Sequence, residues 1–145
     1  MSVSGDFGRL TGTIAALRSL AKIPAQVAGR AAPMIKAQMQ KDTRAARDPY
    51  GRPYAPHMPA TVKRWGAHPL LDMTGAGIES LDARPLPGAG IAVTADDHMV
   101  FTQAGSSTQD VRAVLPNSPQ IPATWNRILE SEAEAVIAER LKALT

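Results

Sequence analysis

Cysteine is absent from the 145 residues, which excludes disulfides, thiolate nucleophiles and the cysteine-bearing zinc sites. Aromatic residues fill only 4% of positions. A core built from Ala, Leu, Ile, Val and Met buries less area per residue than one built on rings, so the core should be thin for the chain length, leaving apolar surface for neighbouring subunits to cover. No apolar run approaches the ~20 residues of a membrane span, and MSVSGDFGRL lacks the basic-then-apolar plan of a signal peptide. The expectation is a protein made and used without the secretory route and with no membrane partner.

Chemistry-bearing patterns are equally sparse. His57, His68 and His98 are the only histidines, and no two have the i,i+4 spacing of a helical metal pair. Asp96-Asp97-His98 has the residue types of a ligand set, yet it sits where a hairpin has to turn, and Asp favours turns for backbone reasons. Gly75-Ala76-Gly77 and Gly88-Ala89-Gly90 lack the strand-loop-helix context and the Lys-Ser/Thr ending of a phosphate cradle. Ser106 and Ser107 have no histidine placed by a nucleophile motif. The reading is a non-enzyme with no catalytic residues, no metal and no cofactor.

What the chain does have is charge, unevenly placed. Residues 1–66 hold eleven Lys or Arg against three acids, which leaves +8, and residues 67–145 hold five against ten, which leaves −5. A basic half suits nucleic acid. Opposite charges on two sides of one subunit suit identical copies packed side by side, and two solvated faces of unequal charge are the plain alternative. The length and the 44% hydrophobic content point to one domain over 1–145. Within it, residues 1–47 form a basic helical region, 48–69 a Pro-rich arm, and 70–145 a sheet, a loop and a C-terminal helix.

Along the chain, Leu10, Ile14, Leu17 and Leu20 or Ala21 recur at three- and four-residue spacings, which predicts an amphipathic helix over 7–22. Pro24 suits the first turn of a second helix reaching about Arg47. On its wheel Val27, Ala31, Met34 and Ile35 share one sector, while Arg30, Lys36, Lys41, Arg44 and Arg47 occupy most of the rest; Pro33 either kinks this helix or marks its true start. DPYGRPYAPHMP then places four prolines in twelve residues and forbids a continuous helix. Its Asp48-Pro49-Tyr50-Gly51 has turn chemistry, with Tyr54 as an anchor whose hydroxyl stays wet and Trp65 as a second apolar anchor. The segment reads either as a stiff arm that docks on a neighbouring subunit or as a linker packed on its own. From residue 77, GIESLDARPLP, GAGIAVTA and HMVFTQAG read as three antiparallel strands, with the hairpin from Ile91 to Phe101 at their centre. Residues 103–122 read as an assembly loop. ATWNRILESEAEAVIAERLKAL shows an i, i+3, i+4, i+7 stripe of a helix that should cover one face of the sheet. The fold class is α+β: N-terminal helices, an extended Pro-rich arm, and a three- to four-stranded antiparallel sheet packed against a long C-terminal helix.

The order of these features resembles the phage virion morphogenesis proteins, the tail-completion family of Mu-like and related tailed phages. Asp48, Pro49, Gly51, Pro53, Tyr54, Pro56 and Thr61 match that family's proline-glycine-aromatic segment, with Tyr54 where tryptophan is commoner. Thr74, Gly75 and Ser80 match its "TG-x-L-x-x-S" strand start, Phe101 and Gly105 match some of its strand end, and Ile121 and Pro122 its approach to the last helix. Gly77-Ile78 replaces the usual Leu, Thr102 and Gln103 interrupt the aromatic-Ala-His pattern, and Thr124-Trp125 stands where arginine and proline-aromatic are expected.

The resemblance implies a structural virion protein of the phage neck, connecting the head-closure region to the tail. It would be assembled in the host cytoplasm as a hexameric ring around the DNA channel, with other neck and tail proteins as partners. A tail-terminator or head-closure ring protein, or a sequence-nonspecific DNA-binding protein, is the alternative. Subunit-interface candidates are then Asp48, Pro49, Gly51, Pro53, Tyr54, Pro56, Trp65, Ile121, Pro122 and Trp125. Arg30, Lys36, Lys41, Arg44 and Arg47 are candidates for the lumen, in nonspecific contact with packaged DNA.

Overall fold

The basic helix runs through the centre of the molecule. In the computed structural model, which describes residues 7–66, 75–105 and 111–144, α1 (Phe7–Leu20) leads into α2 (Ile23–Arg44), followed by short helices α3 (Pro59–Trp65) and α4 (Ala76–Ser80). Strands β1 (Asp82–Pro85) and β2 (Ile91–Thr94), helix α5 (Asp97–Ala104) and the long α6 (Ala123–Leu144) complete the chain. The α+β class holds. Among the described residues, however, the sheet has two strands, paired antiparallel from Asp82↔Thr94 to Pro85↔Ile91.

The third expected strand, HMVFTQAG, is helical instead. Asp96 caps its start, its backbone carbonyl accepting the Met99 amide at 2.9 Å, and Asp97 lies in the first turn, where a negative charge suits the helix dipole. Met99 and Thr102, three apart, are both buried, so the helical period decides the face and the β-branched content does not. The hairpin is therefore 82–94, not 91–101. The Leu86 amide donates to Gly90 O at 2.7 Å to close its loop. The "TG-x-L-x-x-S" stretch is also a helical turn over 76–80, in which the Ser80 hydroxyl donates to Gly77 O and accepts the Asp96 amide, tying the two ends of the hairpin together. Thr74 lies outside the described residues.

Helix α2 extends unbroken from Ile23 through Pro33. Its buried stripe is Ala28, Ala31, Ala32, Ile35, Met39 and Thr43, one position away from the expected sector; Met34 is 43% exposed. Small residues make this the contact face, because alanines let a sheet and a second helix both approach one helix closely. β1 packs on one side of α2 and α6 along another. The C-terminal helix thus lies on α2 and reaches the core mainly through Trp125; α2 is the helix that covers the sheet. Fully buried Ile35 and Met39 each contribute about 1.5–3 kcal/mol by leaving water. The pairing of α2 with α6 is antiparallel: Arg30 meets Glu139, while Met34, Ala37 and Lys41 border a groove with Ile128.

Helix α2 ends at Arg44 for a local reason. The Ala46 amide donates to Thr43 O and the Arg47 amide to Asp42 O, the two bonds of a Schellman cap. The residue placed left-handed at the cap is Ala46, at φ 57°, where glycine is usual.

Candidate assembly interface

The Pro-rich segment is a closed loop held on its own subunit. Asp48 Oδ1 accepts the Tyr50 and Arg52 amides, both at 2.9 Å, and Asp48 Oδ2 accepts Arg52 Nε at 2.7 Å. The Gly51 amide returns to Asp48 O at 2.9 Å with Gly51 at φ 85°, so the turn chemistry of Asp-Pro-Tyr-Gly is used as the sequence implies. Arg47 and Pro53 pair across the base, and the Tyr54 amide donates to Ala46 O.

From this loop two tyrosines reach the chain around residues 113–120. The Tyr54 hydroxyl is buried, not wet, and donates to Ala113 O at 2.8 Å. Burial pushes its pKa up to about 12, opposed to some extent by the neighbouring Thr43 hydroxyl, which in the folded chain donates to Met39 O. The Tyr50 hydroxyl points at Ser118 O and Gln120 O, at 3.1 and 2.8 Å. Arg112, 8% exposed, donates from Nε to Ala55 O and from its terminal nitrogen to Pro56 O, both at 3.0 Å.

The expected assembly loop divides: Arg112, Ala113, Val114 and Pro122 are buried and belong to the body of the chain, whereas Val111 and residues 117–121 are exposed. Gln103 clamps residues 114 and 115. Its Oε1 accepts the Val114 and Leu115 amides and its Nε2 donates to Leu115 O, so one side chain stands in for the edge of a strand. Residues 106–110, with Ser106 and Ser107, lie outside the described residues, as does His68.

The interface candidates therefore divide. Asp48, Pro49, Tyr54, Pro122 and Trp125 are buried within the subunit and are engaged there. Gly51, Pro53, Pro56, Trp65 and Ile121 are exposed; Trp65 lies 5.0 Å below the Arg64 guanidinium and does not anchor the chain.

The basic candidates divide too. Arg30 forms a two-bond pair with Glu139 at 2.9 and 2.6 Å, which holds the Glu139 carboxyl below the usual range and raises the arginine. Lys36 lies 3.3 Å from Asp82, whose carboxyl is lowered by Arg84 first and by Lys36 second. Lys41, Arg44 and Arg47 are exposed and form no ion pair among the described residues. Beside them Asp42 is raised by burial, against the opposing hydrogen bond from Gln38.

The feature least satisfied within one copy is apolar. On α1, Ile14 and Leu17 are 41% and 59% exposed. Helix α1 is tied to α6 through Ser19, whose Oγ accepts Arg140 at 2.6 Å, and on a helical wheel Ser19 lies roughly opposite the Ile14–Leu17 stripe. The apolar stripe thus faces away from its own subunit. On α6, Ile137, Leu141 and Leu144 are 44%, 58% and 56% exposed, turned away from Val136, which is buried.

Sequence reasoning missed Arg112 and Gln103. Arg112 had one signal, a lone charge entering the apolar run Ala113-Val114-Leu115; Gln103 had none. Among the described residues no group of three or more acidic residues and histidines is placed to hold a metal ion, and no helix is long and apolar enough to cross a membrane. Comparison of the chain with known protein families, with characterised proteins and with solved structures gives no match.

Proposed function

We propose that this chain is a structural subunit of the tailed-phage neck, a tail-completion protein that assembles as a ring around the DNA channel. The observation that carries the reading is the pair of apolar helix faces, on α1 and on the C-terminal half of α6, which one copy leaves exposed. Contiguous apolar faces of this kind belong at protein–protein contacts. The order of motifs from Asp48 to Pro122 supports placing that assembly in the neck. A heterologous ring needs two different complementary surfaces on each subunit, and two distinct apolar faces are available.

The lumen role falls to the end of α2. Arg30 and Lys36 are committed to Glu139 and Asp82, whereas Lys41, Arg44 and Arg47 form one exposed basic cluster suited to phosphates passing close by.

Solution mass by light scattering, with negative-stain imaging, tests the proposal. The expected result is a concentration-dependent closed ring of sixfold symmetry. A monomer at every concentration that binds duplex DNA at low salt would replace this reading with a nonspecific DNA-binding protein. In that case each of Lys41→Ala, Arg44→Ala and Arg47→Ala should reduce the slope of log affinity against log salt by about 0.9.

A further inference from the structure

We infer that the contact between neighbouring copies is α1 of one copy laid antiparallel along the outer stripe of α6 of the next, Ile14 and Leu17 against Leu141 and Ile137, with Lys22 beside Glu134. The inference rests on the assembly reading above and specifies its interface. The occupant of the α6 face is a second copy of this chain, for three reasons.

The first is orientation. Within one copy the Ile14–Leu17 stripe faces away from the Ser19–Arg140 contact, and Ile137 and Leu141 face away from α2. Neither stripe can reach the other in its own subunit, so the contact has to form between copies.

The second is charge. Helix α1 contains no acidic residue and is followed by exposed Lys22. Glu134 is exposed on the outer side of α6 and forms no ion pair among the described residues, whereas Glu139 is already paired with Arg30. A cation and a carboxylate that form no ion pair among the described residues thus meet at the edges of the two stripes, the kind of rim contact that sets register and orientation.

The third is spacing. Going along α1 the apolar residues come first and the lysine after them; along α6 the glutamate comes first and the apolar residues after it. Only an antiparallel arrangement superposes like on like. At 1.5 Å per residue, Ile14 to Lys22 spans about 12 Å and Leu141 back to Glu134 about 10 Å, which agree within one or two residues. Lys22 keeps helical dihedrals, φ −84° and ψ −11°, so the helical rise applies up to it.

Complementation between two variants tests this. Leu17→Asp removes the α1 face and Leu141→Asp the α6 face; both side chains are exposed, and unchanged helical circular dichroism and Trp125 emission verify that each variant folds. Each variant alone should have the mass of a monomer. An equal mixture should give a heterodimer and nothing larger, because one intact face of each kind remains. Lys22→Glu should weaken self-association roughly tenfold, and adding Glu134→Lys in the same chain should restore it.

If the wild-type chain assembles and Leu17→Asp assembles equally well, the inferred contact is wrong and the ring reading stands. If the mixture stays monomeric, the two faces are not partners and the inference fails. If the variants behave as expected but the wild type forms open chains, the contact stands and the ring reading falls. A wild type that remains monomeric overturns both.

Discussion

Replacing Tyr54 separates a docking arm from a fastening within the subunit. The tyrosine is 9% exposed and its hydroxyl donates to Ala113 O. In Tyr54→Phe the ring remains while Ala113 O loses its donor in a buried setting, which costs about 1–3 kcal/mol. For a chain of this length that is a fall in Tm of roughly 3–10 °C. Tyr54→Ala also empties the ring's volume and should cost about 3–5 kcal/mol, a large fraction of the roughly 5–15 kcal/mol that a domain has in total. Denaturant unfolding followed by Trp125 emission reads both changes, because Trp125 is buried while Trp65 is largely exposed in the native state.

The pH dependence gives an independent arm. Burial raises the Tyr54 pKa from its ordinary value of 10.0 to about 12, so the folded state holds the phenolic proton more tightly than the unfolded chain does. The stabilisation is complete below pH 10 and is lost as pH rises from there towards 12. In that window the wild type should lose more stability than Tyr54→Phe, and below it the difference between the two should be constant. Unchanged stability in Tyr54→Ala, together with weakened assembly, would refute this account and restore the arm that docks on a neighbour.

Three further outcomes follow from the same geometry. Ala46→Gly should stabilise the protein by about 1 kcal/mol, since a left-handed alanine at a helix cap is strained and glycine there is not; equal or lower stability in thermal unfolding would count against the cap. Arg112→Met should cost about 1–2 kcal/mol by removing both donors to Ala55 O and Pro56 O. It should also speed amide exchange in residues 55–58, and unaltered exchange there would show that the loop is held by other means. Glu139→Gln should leave the thermal midpoint almost unchanged, because its pair with Arg30 is solvent-exposed. As Glu139 is held below its ordinary pKa of 4.5, the pair's small contribution is present above that pH and fades as pH falls below it, and added salt should mask it.

The regions of the fold that were legible are those where local chemistry and tertiary structure agree. The repeating stripe of residues 123–144 and the Asp-Pro-Tyr-Gly turn needed no distant partner to specify them. The third strand was misread because Val, Phe and Thr in HMVFTQAG carry strand propensity, while burial of Met99 and Thr102 at a helical spacing selects a helix, and packing overrides so weak a preference. The contact face of α2 was displaced by one position because alanine carries little weight in a hydropathy pattern, yet it is the residue that lets two elements approach one helix.

By itself the amino-acid sequence determined the absence of thiol chemistry, the lopsided charge, the long helices and the tight loop at residue 48, all of which follow from residue type or from neighbours a few positions away. Tertiary structure alone decided that Tyr54, Arg112 and Gln103 close the loop and the 111–122 segment onto one another, since those bonds join residues far apart in the chain or depend on a carbonyl's direction. It also decided which charges remain free. Arg30 and Lys36 lie on the same helix as Lys41 and Arg44, and only the placement of Glu139 and Asp82 opposite the first two leaves the others without an ion pair among the described residues.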